Sequence, residues 1–125
     1  MNVLIDSSGW IEFFSNGKKA EKFGKYIKNA AKENFFTPSI VVFEVYKKIK
    51  KEFGEDKANQ AVAYIVDSTN LVPLDERAAI YAADLSLTTG LAMADAIIKA
   101  TADLNNAELK TTDNHFKGLE NVELV

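Results

Sequence analysis

The sequence predicts an α/β fold, with one central, mostly parallel sheet flanked by helices in a single domain. Short apolar runs of β type alternate along the chain with longer stretches of helical periodicity. Such alternation is typical of parallel sheets, because a parallel connection needs a crossover that is usually a helix. At 125 residues, with no repeat, low-complexity segment or dividing linker, the chain is predicted to form one domain over residues 1–125.

Five short segments are predicted as strands from their β-branched, aromatic and other apolar residues. They are residues 2–5, 35–37, 71–74, 108–111 and 122–125. The first strand, NVLI, stops at Asp6, and Asp113 follows the fourth, ELKT, by two residues. In open α/β sheets, function gathers outside the carboxyl ends of the strands. We therefore expect Asp6 and Asp113 to share that edge of the sheet.

Six helices are predicted between these strands. They cover residues 8–14, 18–32, 39–53, 55–68, 76–89 and 93–104. Residues that start or stop helices support several of these limits. Ser39 is predicted as the N-cap of the third helix, Asp75 as the cap of the fifth, and Gly90 as its end.

Composition excludes several classes of protein. With 47% hydrophobic and 26% charged residues the chain is expected to be globular, and the absence of cysteine excludes disulfides and thiolate metal sites. We see neither a signal peptide nor an apolar run of about 18 residues, so no membrane association and a cytoplasmic location are expected. A net charge of -3 argues against nucleic-acid binding by the whole surface but leaves room for a basic patch.

Two further acids, Glu44 and Asp95, lie in early turns of predicted helices. At about 100° per residue, each lies away from the main apolar stripe of its helix. These stripes comprise Val42, Val45, Tyr46, Ile49 and Phe53 in the third helix, and Met93, Ile97, Ala100 and Leu104 in the sixth. Both acids nevertheless have apolar neighbours, in VVFEVY and LAMADAII. A charge in that setting needs a partner, because burying it alone is costly.

Simpler roles suit each acid separately. Asp6 and Asp113 could cap the helical turns that follow them, and Asp95 could interact with a helix dipole. Two of them also have a lysine four residues later, which allows the surface ion pairs Glu44–Lys48 and Asp95–Lys99. None of these roles accounts for all four acids together.

The acids in their sequence contexts resemble one family, the PIN-domain ribonucleases, and especially the VapC-type toxins of bacteria and archaea. LIDSSGWIEFF resembles the opening strand and the Asp-Ser/Thr-Ser/Asn signature of that family, with Asp6 and Ser8 at the matching places. PSIVVFEVYKKI resembles the second motif, in which Glu44 is the matching acid.

The remaining two motifs lie in the second half of the chain. GLAMADAIIKATA is similar to the third motif, centred on Asp95. LKTTDNHF is similar to the fourth, with Thr111, Asp113 and Phe116 at the matching places. One departure is His115, which stands where many relatives have a further acid. Its alternatives are a general-acid role or a loop histidine in solvent.

The resemblance implies that the four acids bind Mg²⁺ or Mn²⁺ and hydrolyse phosphodiester bonds of RNA. General chemistry supports this, since crowded carboxylates repel one another and a hard divalent cation with oxygen ligands relieves that repulsion. Ser8 and Thr111 would supply hydroxyl groups that hold a carboxylate, a water or a phosphate oxygen. Lys48 and Lys51 are candidates for phosphate contacts that position the RNA. The resemblance also implies a cognate antitoxin and a homodimer.

Other functions remain open on sequence grounds. The chain could keep the PIN fold without catalysis, as a binding module. A haloacid-dehalogenase-type phosphatase also begins with an acid at a strand end, but it needs a second Asp where this chain has Ser8. A receiver-type signalling domain could use Asp6, Asp75 and Lys110, but that would leave Glu44 and Asp95 unexplained.

Overall fold

The computed structural model describes residues 1–125. Its five strands are β1 (Asn2–Ile5), β2 (Phe35–Pro38), β3 (Asn70–Val72), β4 (Ala107–Thr111) and β5 (Val122–Leu124). The six α-helices are α1 (Ser7–Ser15), α2 (Ala20–Asn29), α3 (Ser39–Phe53), α4 (Glu55–Ser68), α5 (Glu76–Thr89) and α6 (Met93–Leu104). Single turns of 3-10 helix occupy Lys32–Asn34 and Asn114–Phe116. The predicted α/β class is confirmed, because every strand pair is parallel and helices flank the sheet.

The strands form one sheet in the order β3-β2-β1-β4-β5. The chain builds outward from β1 to β3 and then crosses back to place β4 on the other side of β1. Ile5 is in register with Lys110, and the Asp6 N–H donates to the Lys110 carbonyl oxygen at 3.0 Å. The direction of winding thus reverses between β1 and β4. In open α/β sheets the crevice outside the carboxyl ends at such a reversal is where ligands bind.

Apolar side chains from β1 and the first helix anchor the core. Leu4 and Ile5 are fully buried, as expected for a central parallel strand covered on both faces. The Trp10 ring is also fully buried and stacks on Phe14 and Phe35, with ring centroids 5.6 Å and 5.5 Å away. Rigid packing here holds the first residues of α1, and therefore the end of β1, in place.

Most helix boundaries agree with the predicted ones, but α2 is shorter than the predicted 18–32 and one cap was predicted wrongly. Asp75 accepts from the Ala78 N–H at 2.9 Å as the N-cap of α5, and Gly90 ends that helix at a φ of 79°. Ser39 is not a cap, because the N-cap position of α3 belongs to Pro38, which has extended backbone angles. Ser39 is already the first helical residue, and its hydroxyl donates to the Val72 carbonyl oxygen at 3.5 Å.

The predicted apolar stripes are correct at the middle of each helix and wrong at Phe53 and Met93. Val45 and Ile49 are buried in α3, and Ile97 and Ala100 are buried in α6. Two stripe members at helix ends are instead exposed: Phe53 at the end of α3 and Met93 at the start of α6. Leu104, at the end of α6, is half-buried. None of the helices combines the length and apolar character that crossing a membrane requires.

Candidate metal centre

Asp6 occupies the junction between β1 and α1. One carboxylate oxygen accepts from the Ser7 N–H at 2.8 Å, so Asp6 is the N-cap of α1. The other oxygen accepts from the Ser8 hydroxyl at 2.9 Å and from the Thr111 hydroxyl at 2.7 Å. Only 3% of Asp6 is exposed. These bonds satisfy a buried charge and hold its oxygens in one orientation.

The two hydroxyl groups also connect the ends of β1 and β4. Thr111 Oγ1 accepts from the Asp113 N–H at 2.9 Å, and Ser8 Oγ accepts from the Thr112 N–H at 3.2 Å. The loop that carries Asp113 is therefore attached to the same side chains that hold Asp6. Ser8 and Thr111, the two residues predicted to have a supporting role, thus both contact Asp6.

Asp95 and Asp113 approach each other beside His115. Asp95 lies in the first turn of α6, and Asp113 is the N-cap of the 3-10 turn, where it accepts from the His115 N–H at 2.9 Å. The imidazole Nδ1 lies 3.2 Å from Asp113 Oδ1 and 3.5 Å from Asp95 Oδ2. Although 76% of its side chain is exposed, His115 is not simply a solvent-facing loop residue.

Glu44 faces the other acids from α3 without a positive partner. Its Oε1 is buried and accepts no hydrogen bond. The ion pairs considered from the sequence do not form, because each lysine turns to the carboxylate one turn later in its helix. These pairs are Lys48–Glu52, at 2.7 Å, and Lys99–Asp103.

Burial and mutual repulsion raise the pKa of two of the acids. The pKa of Glu44 is raised chiefly by burial and further by the charges of Asp6 and Asp95, and the Ser7 hydroxyl offsets only part of the rise. The pKa of Asp95 is raised by burial and by the charges of Asp113 and Asp6, against the opposing influence of His115. The structure thus brings the four acids, from four separate segments, close enough to interact.

Sequence reasoning missed the contribution of Ser7. Its backbone N–H and its hydroxyl group both donate to the same oxygen of Asp6, at 2.8 Å and 3.4 Å, and it also lowers the pKa of Glu44. The Asp-Ser-Ser run shows hydroxyl groups at both positions after the acid. However, the orientation of these hydroxyl groups toward the carboxylates depends on the start of α1 at Ser7, which the sequence does not show.

The donor set fits a hard divalent cation. All four predicted ligands offer carboxylate oxygens, the ligand type that Mg²⁺ and Mn²⁺ prefer. The unpartnered oxygen of Glu44 and the raised pKa of Asp95 are the features expected of a pocket whose negative charge lacks a counter-ion. Asp6, Glu44, Asp95 and Asp113 are the residues that could hold such an ion.

The basic residues of α3 lie apart from this carboxylate cluster. Lys48 and Lys51 are exposed, and neither forms an ion pair with any of the four acids. Neighbouring lysines lie over aromatic rings: Lys47 Nζ is 5.6 Å from the Phe43 ring centroid. Their arrangement provides a mixed basic and aromatic surface along α3.

The receiver interpretation is contradicted by the structure. Asp75 is occupied as the cap of α5. Lys110 Nζ pairs with Glu108 at 2.7 Å and with Glu123 at 2.5 Å, and it lies over the Tyr26 ring. The strand order β3-β2-β1-β4-β5 also differs from the 2-1-3-4-5 order of receivers.

We expect the raised pKa of Glu44 to make stability depend on pH in the absence of metal. An acid whose pKa is raised by folding destabilises the fold above that pKa, and the penalty disappears as pH falls to its ordinary value of 4.5. In a chelator, Glu44→Gln should therefore melt at a higher temperature than the wild type at neutral pH. The difference should shrink on acidification.

The measurement is a series of thermal melts across this pH range. Glu33→Gln is the control, since this exposed acid lies elsewhere, in the Lys32–Asn34 turn. If the melting temperatures of Glu44→Gln and the wild type depended on pH in the same way, the raised pKa of Glu44 would be contradicted.

Comparison with known proteins gives a consistent result. Residues 3–121 match the family model described as PIN domain. A toxin-antitoxin complex from Klebsiella pneumoniae contains a chain with 25% identity and a TM-score of 0.81, covering 98% of this chain and 96% of that one. Mycobacterium tuberculosis VapC20, described as a sarcin-ricin loop cleaving toxin, has 12% identity and a TM-score of 0.81, with 99% and 98% covered.

A third similar structure is VapBC2 from Rickettsia felis bound to a DNA fragment from its promoter. It has 19% identity and a TM-score of 0.78, and the alignment covers 98% of each chain. Among curated proteins, no sequence matches this chain. Since the family model spans nearly the whole chain and the fold agrees with it, the chain belongs to the PIN domain family.

Proposed function

We propose that residues 1–125 form a metal-dependent ribonuclease that hydrolyses RNA phosphodiester bonds, and that it is the toxin of a toxin-antitoxin pair. The observation that supports this most is the cluster of four acids at the winding reversal, where the buried oxygen of Glu44 has no partner. A cluster that only stabilised the fold would be expected to contain balancing cations.

Each acid has a distinct part in this proposal. Asp6 and Asp95 are the principal metal contacts, directly or through water, and Asp113 completes the set. A bound Mg²⁺ or Mn²⁺ supplies a Lewis acid and lowers the pKa of coordinated water. The Ser8 and Thr111 hydroxyls keep Asp6 oriented.

Glu44 is suited to act on the attacking water. Its raised pKa makes it a stronger base than an ordinary glutamate, and its buried Oε1 accepts no hydrogen bond from the protein. Glu44 would orient a water molecule through its carboxylate and take a proton from it as the new oxygen–phosphorus bond forms. The bond from phosphorus to the leaving ribose oxygen breaks, and that oxygen takes a proton from solvent.

The proposed partners follow from the relatives. Similar chains occur in toxin-antitoxin complexes from Klebsiella pneumoniae and Salmonella typhimurium, the second of them bound to DNA. We propose that this chain also binds a cognate antitoxin, forms a homodimer and acts in the cytoplasm. Co-expression with the product of an adjacent gene for a small DNA-binding protein, followed by measurement of the mass of the complex, tests the partner and the stoichiometry.

Mg²⁺ and Mn²⁺ are expected to raise the melting temperature of the wild-type protein, because a ligand that binds only the folded state stabilises it. At a metal concentration about 100 times the dissociation constant, the gain is about 2.7 kcal/mol. RNA cleavage should appear over the same metal concentrations. The measurements are thermal melts and cleavage assays across a metal titration begun in chelator.

Replacing all four acids by their amides should remove both responses together. A metal-induced rise in melting temperature without cleavage of any RNA would favour the binding module that keeps the fold but does not catalyse. If neither response occurred in the wild type, the proposed function would be wrong.

Lys48 and Lys51 are proposed to contact phosphates of the RNA. Replacing both by Ala in a catalytically inactive variant should weaken RNA binding. The slope of log affinity against log salt should also become shallower, by about 0.7 for each phosphate of the single strand that the protein no longer neutralises. Binding titrations at several salt concentrations measure this slope.

The matched control replaces Lys25 and Lys28, two exposed lysines of α2. It removes the same charge from another surface. If the two double variants changed RNA binding and its salt dependence equally, the change would come from net charge and not from phosphate contacts of Lys48 and Lys51.

A further inference from the structure

His115 is a polar residue beside two of the four acids, and the proposed reaction does not use it. It is the only histidine of the chain. Its backbone is held beside Asp113, because its N–H donates to Asp113 Oδ1 at 2.9 Å within the 3-10 turn. In this structure the imidazole lies beside Asp95 and Asp113.

The distances around the imidazole are those of neighbouring ligands on one ion. One ligand atom each from Asp95, Asp113 and His115 can be chosen so that all lie within 4.8 Å of one another. Nδ1 is 3.2 Å from Asp113 and 3.5 Å from Asp95. Adjacent ligands of an octahedral ion with bonds of about 2.1 Å are separated by about 3 Å. Three donors at this spacing can bind one cation with little rearrangement.

The exposure of the imidazole also favours a ligand role. With 76% of its side chain exposed, the ring loses little hydration when it binds an ion, and an ion can reach it from solvent. Asp95 and Asp113, more buried at 19% and 31% side-chain exposure, supply the negative charge beneath it. Two carboxylates and one imidazole make a mixed oxygen and nitrogen donor set.

We propose that His115 is a nitrogen ligand of the metal centre, and that it makes the site select a first-row transition ion such as Mn²⁺ over Mg²⁺. This inference rests on the proposed function, because it refines the choice of ion at the same site. Mg²⁺ takes oxygen ligands and dehydrates reluctantly, whereas imidazole suits transition ions, with affinity rising from Mn²⁺ to Ni²⁺. His115 thus supplies selectivity that a purely carboxylate set lacks.

The test is the affinity of the untagged protein for Mn²⁺, Ni²⁺ and Mg²⁺, measured separately by calorimetry. In His115→Ala we expect affinity for Mn²⁺ to fall about tenfold, that for Ni²⁺ to fall more, and that for Mg²⁺ to change by less than about twofold. His115→Asp restores an oxygen donor and should strengthen Mg²⁺ binding without restoring the preference for Ni²⁺. Thermal melts in chelator establish that both variants fold.

A spectroscopic measurement distinguishes a ligand from a neighbour. Pulsed electron paramagnetic resonance of bound Mn²⁺ should show coupling to an imidazole nitrogen in the wild type, and this coupling should be absent in His115→Ala. Lys117→Ala, an exposed position two residues away, is the control and should keep both the coupling and the affinities.

The results of these measurements distinguish the role of His115 from the proposed metal-dependent function. Unchanged Mn²⁺ and Ni²⁺ affinities in His115→Ala, or nitrogen coupling that persists in that variant, would overturn the role of His115 while the carboxylate site stands. If the wild type bound none of the three ions, the proposed metal-dependent function itself would fall, and the inference with it.

Discussion

Asp95→Asn is expected to lower the rate of RNA cleavage by more than about 100-fold without lowering thermal stability in a chelator. Removing a group that merely orients a metal ligand typically costs about 10- to 100-fold in affinity or activity, so loss of a ligand should cost more. Stability should be preserved because the charge of Asp95 is opposed by burial and by the charges of Asp113 and Asp6. Cleavage assays beside thermal melts in chelator provide the measurement.

The control is Asp84→Asn, which makes the same change of charge at an exposed position of α5. It should leave cleavage unchanged. Asp6→Asn should also abolish cleavage, but Asp6 accepts hydrogen bonds from Ser8 and Thr111, so its replacement disturbs a satisfied network and is the less clean variant. Retained activity in both Asp95→Asn and Asp6→Asn would disprove the proposed site.

Thr111→Val should have the largest effect on stability among the site variants. The hydroxyl is buried, donates to Asp6 at 2.7 Å and accepts from the Asp113 N–H at 2.9 Å. Loss of a hydrogen bond to a charged group, together with an unpaired N–H, should cost about 2 to 4 kcal/mol. At about 4 °C per kcal/mol for a domain of this size, the melting temperature should fall by about 8 to 16 °C. Cleavage should fall as well, since Asp6 and Asp113 lose a shared support.

Thr111→Ser separates the hydroxyl from the methyl group. It keeps both hydrogen bonds and removes one buried methyl, at a cost of about 0.8 kcal/mol. Thermal melts and cleavage assays should therefore show a large loss of stability and activity in Thr111→Val and a small loss in Thr111→Ser. If Thr111→Ser lowered stability as much as Thr111→Val, the loss of packing around the methyl group would explain the effect. The two hydrogen bonds of the Thr111 hydroxyl would then not be its cause.

The features predicted well from the sequence depend on neighbouring residues. Asp75 and Gly90 limit α5 as expected, since capping and a left-handed end are decided within one turn of the chain. The alternation of apolar strands and amphipathic helices likewise indicated a parallel α/β sheet, which the parallel pairing confirms. Ser39 was assigned wrongly because Pro38 moves the start of α3 by one residue, a shift that pattern alone does not resolve.

The surroundings of the acids depended on tertiary structure. The sequence offered Lys48 and Lys99 as partners of Glu44 and Asp95, but both lysines have a second carboxylate within one turn and pair with that one. Spacing of four residues allows an ion pair in either direction along a helix. Which pair forms depends on the environment of each carboxylate, and Glu44 lies close enough to Asp6 and Asp95 for their charges to raise its pKa.

By itself, the sequence determined the class of fold, the positions of most helix ends and the placement of Asp6 and Asp113 at strand ends, because these depend on local periodicity and capping. Only the tertiary structure decided the strand order, the hydrogen bonds that Ser8 and Thr111 donate to Asp6, and the approach of His115 to Asp95. The physical reason is separation along the chain: Asp6 and Thr111 are 105 residues apart. Contacts at that distance exist only after β1 and β4 have paired.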